Sequence, residues 1–393
     1  MNDIIDMEKK LSIYIHIPFC VRKCLYCDFL SAPADDDTIK RYVNALVNEI
    51  RQTADTKEGG RVLSTVFFGG GTPSLLSADD SAAILSALSD TFDMKNVSEI
   101  TMEMNPGTAQ KDKCSELCKL GVSRFSLGLQ SADDKELQRI GRIHRYADFL
   151  NTYEWLREAG CRNINVDMMS ALPGQNMEGY VDGLHKITAL RPEHISSYSL
   201  ILEEGTPLND MYEGKVPFPG EGPEAYRLPG EEEDARMYEM TGEVLGKAGY
   251  NRYEISNYSL PGFECRHNTV YWERGDYLGF GIGAASCVSN VRWKNSSSLH
   301  NYMTAANILA DIREDHEILS TEEQMKETMF LGLRMMKGIS KKRFEDDFGC
   351  GMSSVYAKLI AKYIGLGLLA ENEERLFLTD RGILLSNQIF AEL

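Results

Sequence analysis

From Leu11 to about residue 200, short β-rich apolar runs alternate with amphipathic stretches, and this alternation constrains the fold more than any other feature. Candidate strands are 11–17, 62–68, 98–104, 122–129, 161–169 and 193–200. Helical patterns lie near 36–53, 79–91, 110–120, 133–158 and 176–190. Strand–helix–strand repeats of this kind imply crossover connections and a parallel sheet. Six strands fall two units short of a closed eight-stranded barrel, so the expectation is a partial (β/α)6 barrel, with a doubly wound sheet as the second choice.

The rest of the chain changes character. Residues 205–230 hold five prolines and five glycines and read as a loop-like insertion, followed by a helix near 231–248 and a glycine-rich run at 277–288. Beyond about residue 320, helices at 321–336, 341–348 and 353–365, a brief strand "RLFLT" and a final helix suggest a small α-rich, winged-helix-like unit. The expected division is a core at 11–205, a β/α extension at 206–315 and a C-terminal domain at 316–393.

Polar, Gly and Pro residues cluster just after the strands: Cys20, "GGGTP" at 69–73, "NPG" at 105–107, Gln130 and "LPG" at 172–174. In parallel α/β folds ligands bind at these strand ends, although Gly and Pro also punctuate loops everywhere. A net charge of −17 argues against a sequence-independent grip on nucleic acid, and the acidic "FEDDFG" and "AENEER" segments argue against DNA binding by the C-terminal unit. No run of 18 apolar residues indicates a membrane span. The first residues lack the pattern of a signal peptide, and nine cysteines suit a reducing compartment, so a cytoplasmic protein is expected.

"CVRKCLYCDF" spaces three cysteines as C-x3-C-x2-C on one loop. Thiolates favour zinc or iron–sulfur clusters. Structural zinc wants four ligands, and only His16, on the preceding strand, is near enough in sequence to be a fourth. A [4Fe–4S] cluster held by three cysteines keeps one iron open for a small molecule with an amine and a carboxylate.

"YIHIPFCVRKCLYCDF" with "FFGGGTP" resembles the radical S-adenosylmethionine (SAM) enzymes, and within them the oxygen-independent coproporphyrinogen III oxidase family. The resemblance implies a [4Fe–4S] cluster on Cys20, Cys24 and Cys27, with SAM on the open iron. It also implies SAM contacts from Tyr14, Tyr26, Gly70, Gly71, Thr72, Glu103, Gln130, Arg142 and Asp167. Each has a plainer reading: Glu103 and Asp167 as strand-end residues, Arg142 as an exposed helix charge. Phe29 stands where the oxidases carry a further, non-ligand cysteine associated with decarboxylation, which puts that activity in doubt.

"HNTVYW" at 267–272 has the form H-N-x-x-Y-W and, with "YSLILEEGTPL" and "GFGIGAAS", resembles the heme-chaperone (HemW) branch of this family over residues 11–391. That likeness implies heme contacts from His267, Asn268, Tyr271 and Trp272, with Cys265 a rival axial ligand; alternatively, the motif closes a turn and packs in the core. The expected function is a chaperone that binds cluster, SAM and heme (as cargo), passing heme to acceptor proteins. An electron donor is needed if SAM is cleaved. The alternative is a radical SAM enzyme acting on a porphyrinogen or another tetrapyrrole, or a methyltransferase.

Overall fold

The computed structural model describes residues 10–220 and 222–393; the N-terminal residues on which the signal-peptide reading rested lie outside that range. The core elements run β1 (Leu11–Ile17), α1 (Asp36–Gln52), β2 (Leu63–Gly70), α2 (Ala78–Thr91), β3 (Glu99–Met104), α3 (Lys111–Lys119), β4 (Arg124–Gln130), α4 (Asp134–Arg139), α5 (Tyr146–Glu158), β5 (Ile164–Ser170), α6 (Met177–Leu190) and β6 (His194–Ser199). Strands β1 to β6 are parallel and neighbour one another in chain order. Sequential order without a reversal is that of the partial barrel and rules out the doubly wound sheet.

Alternation within each strand explains how the sheet wraps. Ile13, Ile15, Val66, Phe68, Phe125, Leu127, Ile164 and Val166 face outward into one hydrophobic core shared with the helices. Each such buried side chain contributes roughly 1.5–3 kcal/mol. The intervening residues are largely polar and meet inside: Thr65 Oγ1 donates to Ser12 Oγ at 2.8 Å, Asn165 Nδ2 to Ser126 Oγ at 2.6 Å, and Ser196 Oγ to Asn165 Oδ1 at 3.1 Å. A polar row on the concave face keeps the lumen open for a ligand, where apolar side chains would fill it. Local caps fix the helices: the Asp35 side chain accepts from Thr38 N, and Asp36 and Asp37 sit in the first turn of α1.

The long helix expected at 133–158 is two helices. Residues 140–145 form a turn between α4 and α5, and this turn carries Arg142 to the lumen, where a continuous helix would have left it on the surface. The Pro/Gly-rich insertion contains α7 (Pro207–Tyr212), capped by Thr206, before α8 (Glu231–Lys247).

Both edges of the sheet are then extended. The hairpin β7 (Asn251–Glu254) and β8 (Asn257–Ser259) pairs antiparallel to β6. After α9 (Arg266–Trp272), strand β9 (Tyr277–Phe280) returns to pair parallel with β1. Strands β10 (Ala285–Val288) and β11 (Val291–Asn295), helices α10 (Leu299–Ala305) and α11 (Leu309–Ile312), and strand β12 (Arg313–Ile318) complete a twelve-stranded sheet among the described residues.

A second hydrophobic core gathers Met329, Leu333, Phe344, Ile360, Leu376 and Ile389. Its elements are α12 (Thr321–Arg334), β13 (Ile339–Ser340), α13 (Lys341–Phe348), α14 (Met352–Gly365), β14 (Leu369–Glu371), β15 (Arg375–Leu378), α15 (Asp380–Leu384) and α16 (Ser386–Phe390), with the small sheet ordered β13-β15-β14. No helix among the described residues is long and apolar enough to cross a membrane.

Candidate functional site

The loop after β1 is pinned on three sides. Its neck closes where Ala32 N donates to Pro18 O (2.9 Å) and Cys20 N to Ala32 O (3.2 Å). Leu25 N donates to Ile140 O at 3.0 Å and Arg22 Nη2 to Gly141 O at 2.9 Å, which ties the loop to the α4–α5 turn. Leu208 N, in α7, donates to Leu25 O at 2.8 Å. So held, Cys20, Cys24 and Cys27 all border one cavity of about 440 Å3 in the barrel lumen.

Two donors approach the thiols: Thr72 Oγ1 lies 3.5 Å from Cys20 Sγ, and Arg142 Nη1 lies 3.5 Å from Cys24 Sγ. The donor set is three soft thiolates on one loop, the chemistry of an iron–sulfur cluster. Among the described residues, no three His, Cys, Asp or Glu side chains converge on a single-ion site. His16 is not free to be a fourth ligand, because Nδ1 bonds Tyr14 Oη (3.0 Å) and Nε2 bonds Leu30 O (2.9 Å).

The glycine turn at the end of β2 forms a second wall. Gly71 N donates to Ile17 O and Thr72 N to Phe19 O, each at 2.8 Å, joining the turn to the root of the cysteine loop. A Cβ on Gly71 would stand 2.7 Å from Phe19 O, and one on Gly70 (φ +109°) 2.5 Å from the His16 ring. Side chains are therefore excluded here, and bare backbone faces the cavity.

Gly70 N donates to Glu103 Oε2 at 3.0 Å. Burial, reinforced by the negative charge of Asp167, pushes the Glu103 carboxyl up to about 8, so it keeps its proton at neutral pH. Asp167 is also raised by burial, against hydrogen bonds from Asn165 (2.7 Å) and Ser126 (3.1 Å). Arg142 Nη2 donates to Asn105 Oδ1 (2.6 Å) and to Gly128 O, while Asn105 Nδ2 donates to Thr72 Oγ1 (2.7 Å). Gln130 takes a left-handed backbone (φ +74°) where β4 ends and accepts from Tyr198 Oη at 3.2 Å.

Of the residues expected to contact SAM, Tyr26, Gly70, Gly71, Glu103, Gln130, Arg142 and Asp167 line this cavity with the three cysteines. Tyr14 and Thr72 stand behind the wall: Thr72 is buried, and Tyr14 packs beside Gly69. Asn105, marked in the sequence only within the strand-end "NPG", links Thr72 to Arg142; sequence reasoning missed the inward row Arg124, Asn165, Ser196 and Tyr198. The signal was present as polar residues at every second strand position.

"HNTVYW" departs from expectation. It forms α9, whose first amides are capped by Glu99, which accepts from Arg266 N (3.1 Å) and His267 N (3.2 Å). His267 is 1% exposed and stacks on Phe67 with ring centroids 5.0 Å apart. Its Nδ1 bonds Thr65 Oγ1 (2.8 Å) and its Nε2 bonds Tyr271 Oη (2.9 Å). Because Thr65 gives its own proton to Ser12, Nδ1 carries the imidazole hydrogen and Nε2 accepts from Tyr271. His267 is thus not presented as an open iron ligand, and neither is Cys265, which is fully buried with Sγ 3.7 Å from Glu99. Asn268 faces the cavity, and Trp272 lies under the Arg334 guanidinium at 4.6 Å.

The Radical SAM superfamily pattern matches residues 14–187, and the HemN C-terminal domain pattern matches 319–385. The chain is 37% identical over 387 residues to the heme chaperone HemW of Lactococcus lactis subsp. lactis, covering 98% of each chain. It is 35% identical to the heme chaperone HemW of Bacillus subtilis, covering 97% of this chain and 98% of that one. The solved structure of the radical SAM enzyme coproporphyrinogen III oxidase (HemN) from Escherichia coli superposes with a TM-score of 0.83 at 22% identity, over 98% of this chain and 90% of that one.

Proposed function

The chain belongs to the HemW family of the radical SAM superfamily, and from that premise we propose that it is a cytoplasmic heme chaperone, binding a [4Fe–4S] cluster, SAM and heme and passing heme to acceptor proteins. The observation that carries this reading is the meeting of three thiols, a side-chain-free glycine turn and the Glu103, Arg142 and Asp167 set around one cavity. Bound by Cys20, Cys24 and Cys27, a cluster would offer its remaining iron to the amine and carboxylate of SAM and, given an electron donor, an electron for SAM cleavage.

The chain's own residues then have distinct tasks. Gly70 and Gly71 let backbone approach the methionine end of SAM, with Thr72 and Tyr14 shaping the wall from behind. Glu103, protonated at neutral pH, can both donate to and accept from ribose hydroxyls. Tyr26, Gln130, Arg142 and Asp167 contact SAM from the opposite side of the lumen. Phe29, 57% exposed, and Ile201, 67% exposed, offer apolar ground at the cavity mouth for a heme macrocycle. In this reading His267 and Tyr271 serve heme by holding α9 in place, Asn268 borders the chamber, and Trp272 anchors the far end of α9 under Arg334.

Anaerobically reconstituted protein, tested with heme and separately with coproporphyrinogen III plus SAM and a reductant, checks the proposal. Stoichiometric heme binding without conversion of propionates to vinyl groups is expected, in keeping with Phe29. Formation of the divinyl product would sink the chaperone-only reading.

A further inference from the structure

Arg124, the first residue of β4, is 2% exposed and borders the cavity. Its Nε is sealed from solvent without a partner, and its guanidinium makes no hydrogen bond or ion pair with any described residue. Burying a guanidinium is costly unless its donors are met, so an unpartnered one facing a chamber points to something that enters it.

Its neighbours balance its charge but do not bond it. The negative charges of Glu99 and Asp167 act on the guanidinium, yet neither carboxylate, nor Glu103, reaches it with a hydrogen bond or ion pair; their bonds run to the first amides of α9, to Asn165 and Ser126, and to Gly70 N. Arg124 also lies away from the cysteine loop. It shares the inward row of β4 with Ser126, Gly128 and Gln130, and four strand steps put it about 13 Å below Gly128, where Arg142 is bonded. A carboxylate held near the cysteines cannot at the same time be the partner of Arg124.

We propose that Arg124 is an anion subsite in the floor of the cavity that takes a carboxylate of a bound small molecule, a proposal that rests on the cavity being the ligand chamber described above. The planar fork of a guanidinium matches a carboxylate in two parallel hydrogen bonds. Asn268, projecting from α9, borders the same chamber, so the H-N-x-x-Y-W helix contributes to this floor. Because the SAM carboxylate is assigned to the open iron, the fitting source is a propionate of a tetrapyrrole; the amino-acid carboxylate of SAM is the competing source, and its capture here would require SAM to sit away from the iron.

The test compares wild type, Arg124→Met and Arg124→Lys, all cluster-loaded. Affinities are measured for SAM against decarboxylated SAM, for heme against its dimethyl ester, and for sodium propionate by thermal shift against equal sodium chloride. The wild type should prefer the carboxylate form of one pair by about tenfold, Arg124→Met should lose that preference, and Arg124→Lys should keep part of it. Whichever pair loses its gap identifies the source. Propionate should raise the melting midpoint of the wild type and not of Arg124→Met, an arm that decides the subsite even if neither heme nor SAM binds and the function above is wrong. Gaps that persist in Arg124→Met, with propionate acting alike on both proteins, overturn the proposal. The ligand-free midpoint of Arg124→Met should equal or exceed that of the wild type; a fall with all gaps intact would make Arg124 a structural counter-charge instead.

Discussion

His267 and Thr65, 202 residues apart, share a 2.8 Å hydrogen bond that locks α9 against β2 inside the barrel. The same imidazole is held on its other side by Tyr271 and from below by Phe67. A histidine so enclosed acts first on the fold.

Replacing His267 by Ala should therefore destabilise the ligand-free protein by about 2–4 kcal/mol, through a lost stack, an unpaired Tyr271 hydroxyl and the lost bond to Thr65. Chemical denaturation measures this directly. Tyr271→Phe should cost less, about 1 kcal/mol. If His267→Ala left stability unchanged but removed the heme spectrum, the imidazole would be a ligand instead.

Acid should weaken the fold through the same residue. Burial, with a smaller effect from the Arg124 charge, pushes His267 down to about 3, whereas the unfolded chain titrates near 6.5. Between those values the unfolded state holds more protons, so this contribution is lost as pH falls below about 6.5. Glu103 acts oppositely: its proton is kept up to about 8 in the fold but only to about 4.5 unfolded, so its contribution declines as pH rises through that range. Melting midpoints across pH should show a flatter alkaline limb in Glu103→Gln than in wild type.

Cys24→Ala should abolish the brown cluster absorbance after anaerobic reconstitution, whereas Cys118→Ala, on α3 away from the cavity, should retain about four irons per chain. Gly71→Ala should also lower iron incorporation, because its Cβ would press on the Phe19 backbone next to Cys20. Iron content near the wild-type value in Cys24→Ala would refute the ligand assignment.

Arg334 in α12 joins the C-terminal core to the barrel by donating to Glu254 Oε1 at 2.7 Å while covering Trp272. Glu254 is fully buried, so Arg334→Met should cost about 1.5–3 kcal/mol by removing the cation from Oε1, while Oε2 keeps Ser256 N and Asn257 Nδ2. Adding Glu254→Gln should recover part of that loss. Additive effects in a double-mutant cycle would show that the pair is not coupled.

The six strands were legible because each is a short apolar run bounded by turn residues, and the structure moves their ends by at most a few residues. The cysteine loop and glycine turn were legible for a different reason, since their chemistry is local in sequence. The break between α4 and α5 had a local signal that went unread. Gly141 takes a left-handed backbone (φ +79°) and closes α4 in a glycine C-cap, with its N–H on Gln138 O (3.0 Å) and Arg142 N on Leu137 O (2.9 Å). The enclosure of His267 was hidden, because its partners Thr65 and Phe67 come from a strand two hundred residues earlier. Period-two patterning held more than a strand assignment: polar residues on the concave face mark a chamber, and Arg124 and Asn165 could have been found that way.

The pairing of β1 with β9 has a consequence for how the chain is made. β1 precedes the other described strands, yet one of its edges stays without a neighbour until residues 277–280 have been added. Contacts so far apart in sequence slow folding, and an open strand edge can recruit other chains. A chain truncated before β9 should therefore aggregate even though all six core strands are present.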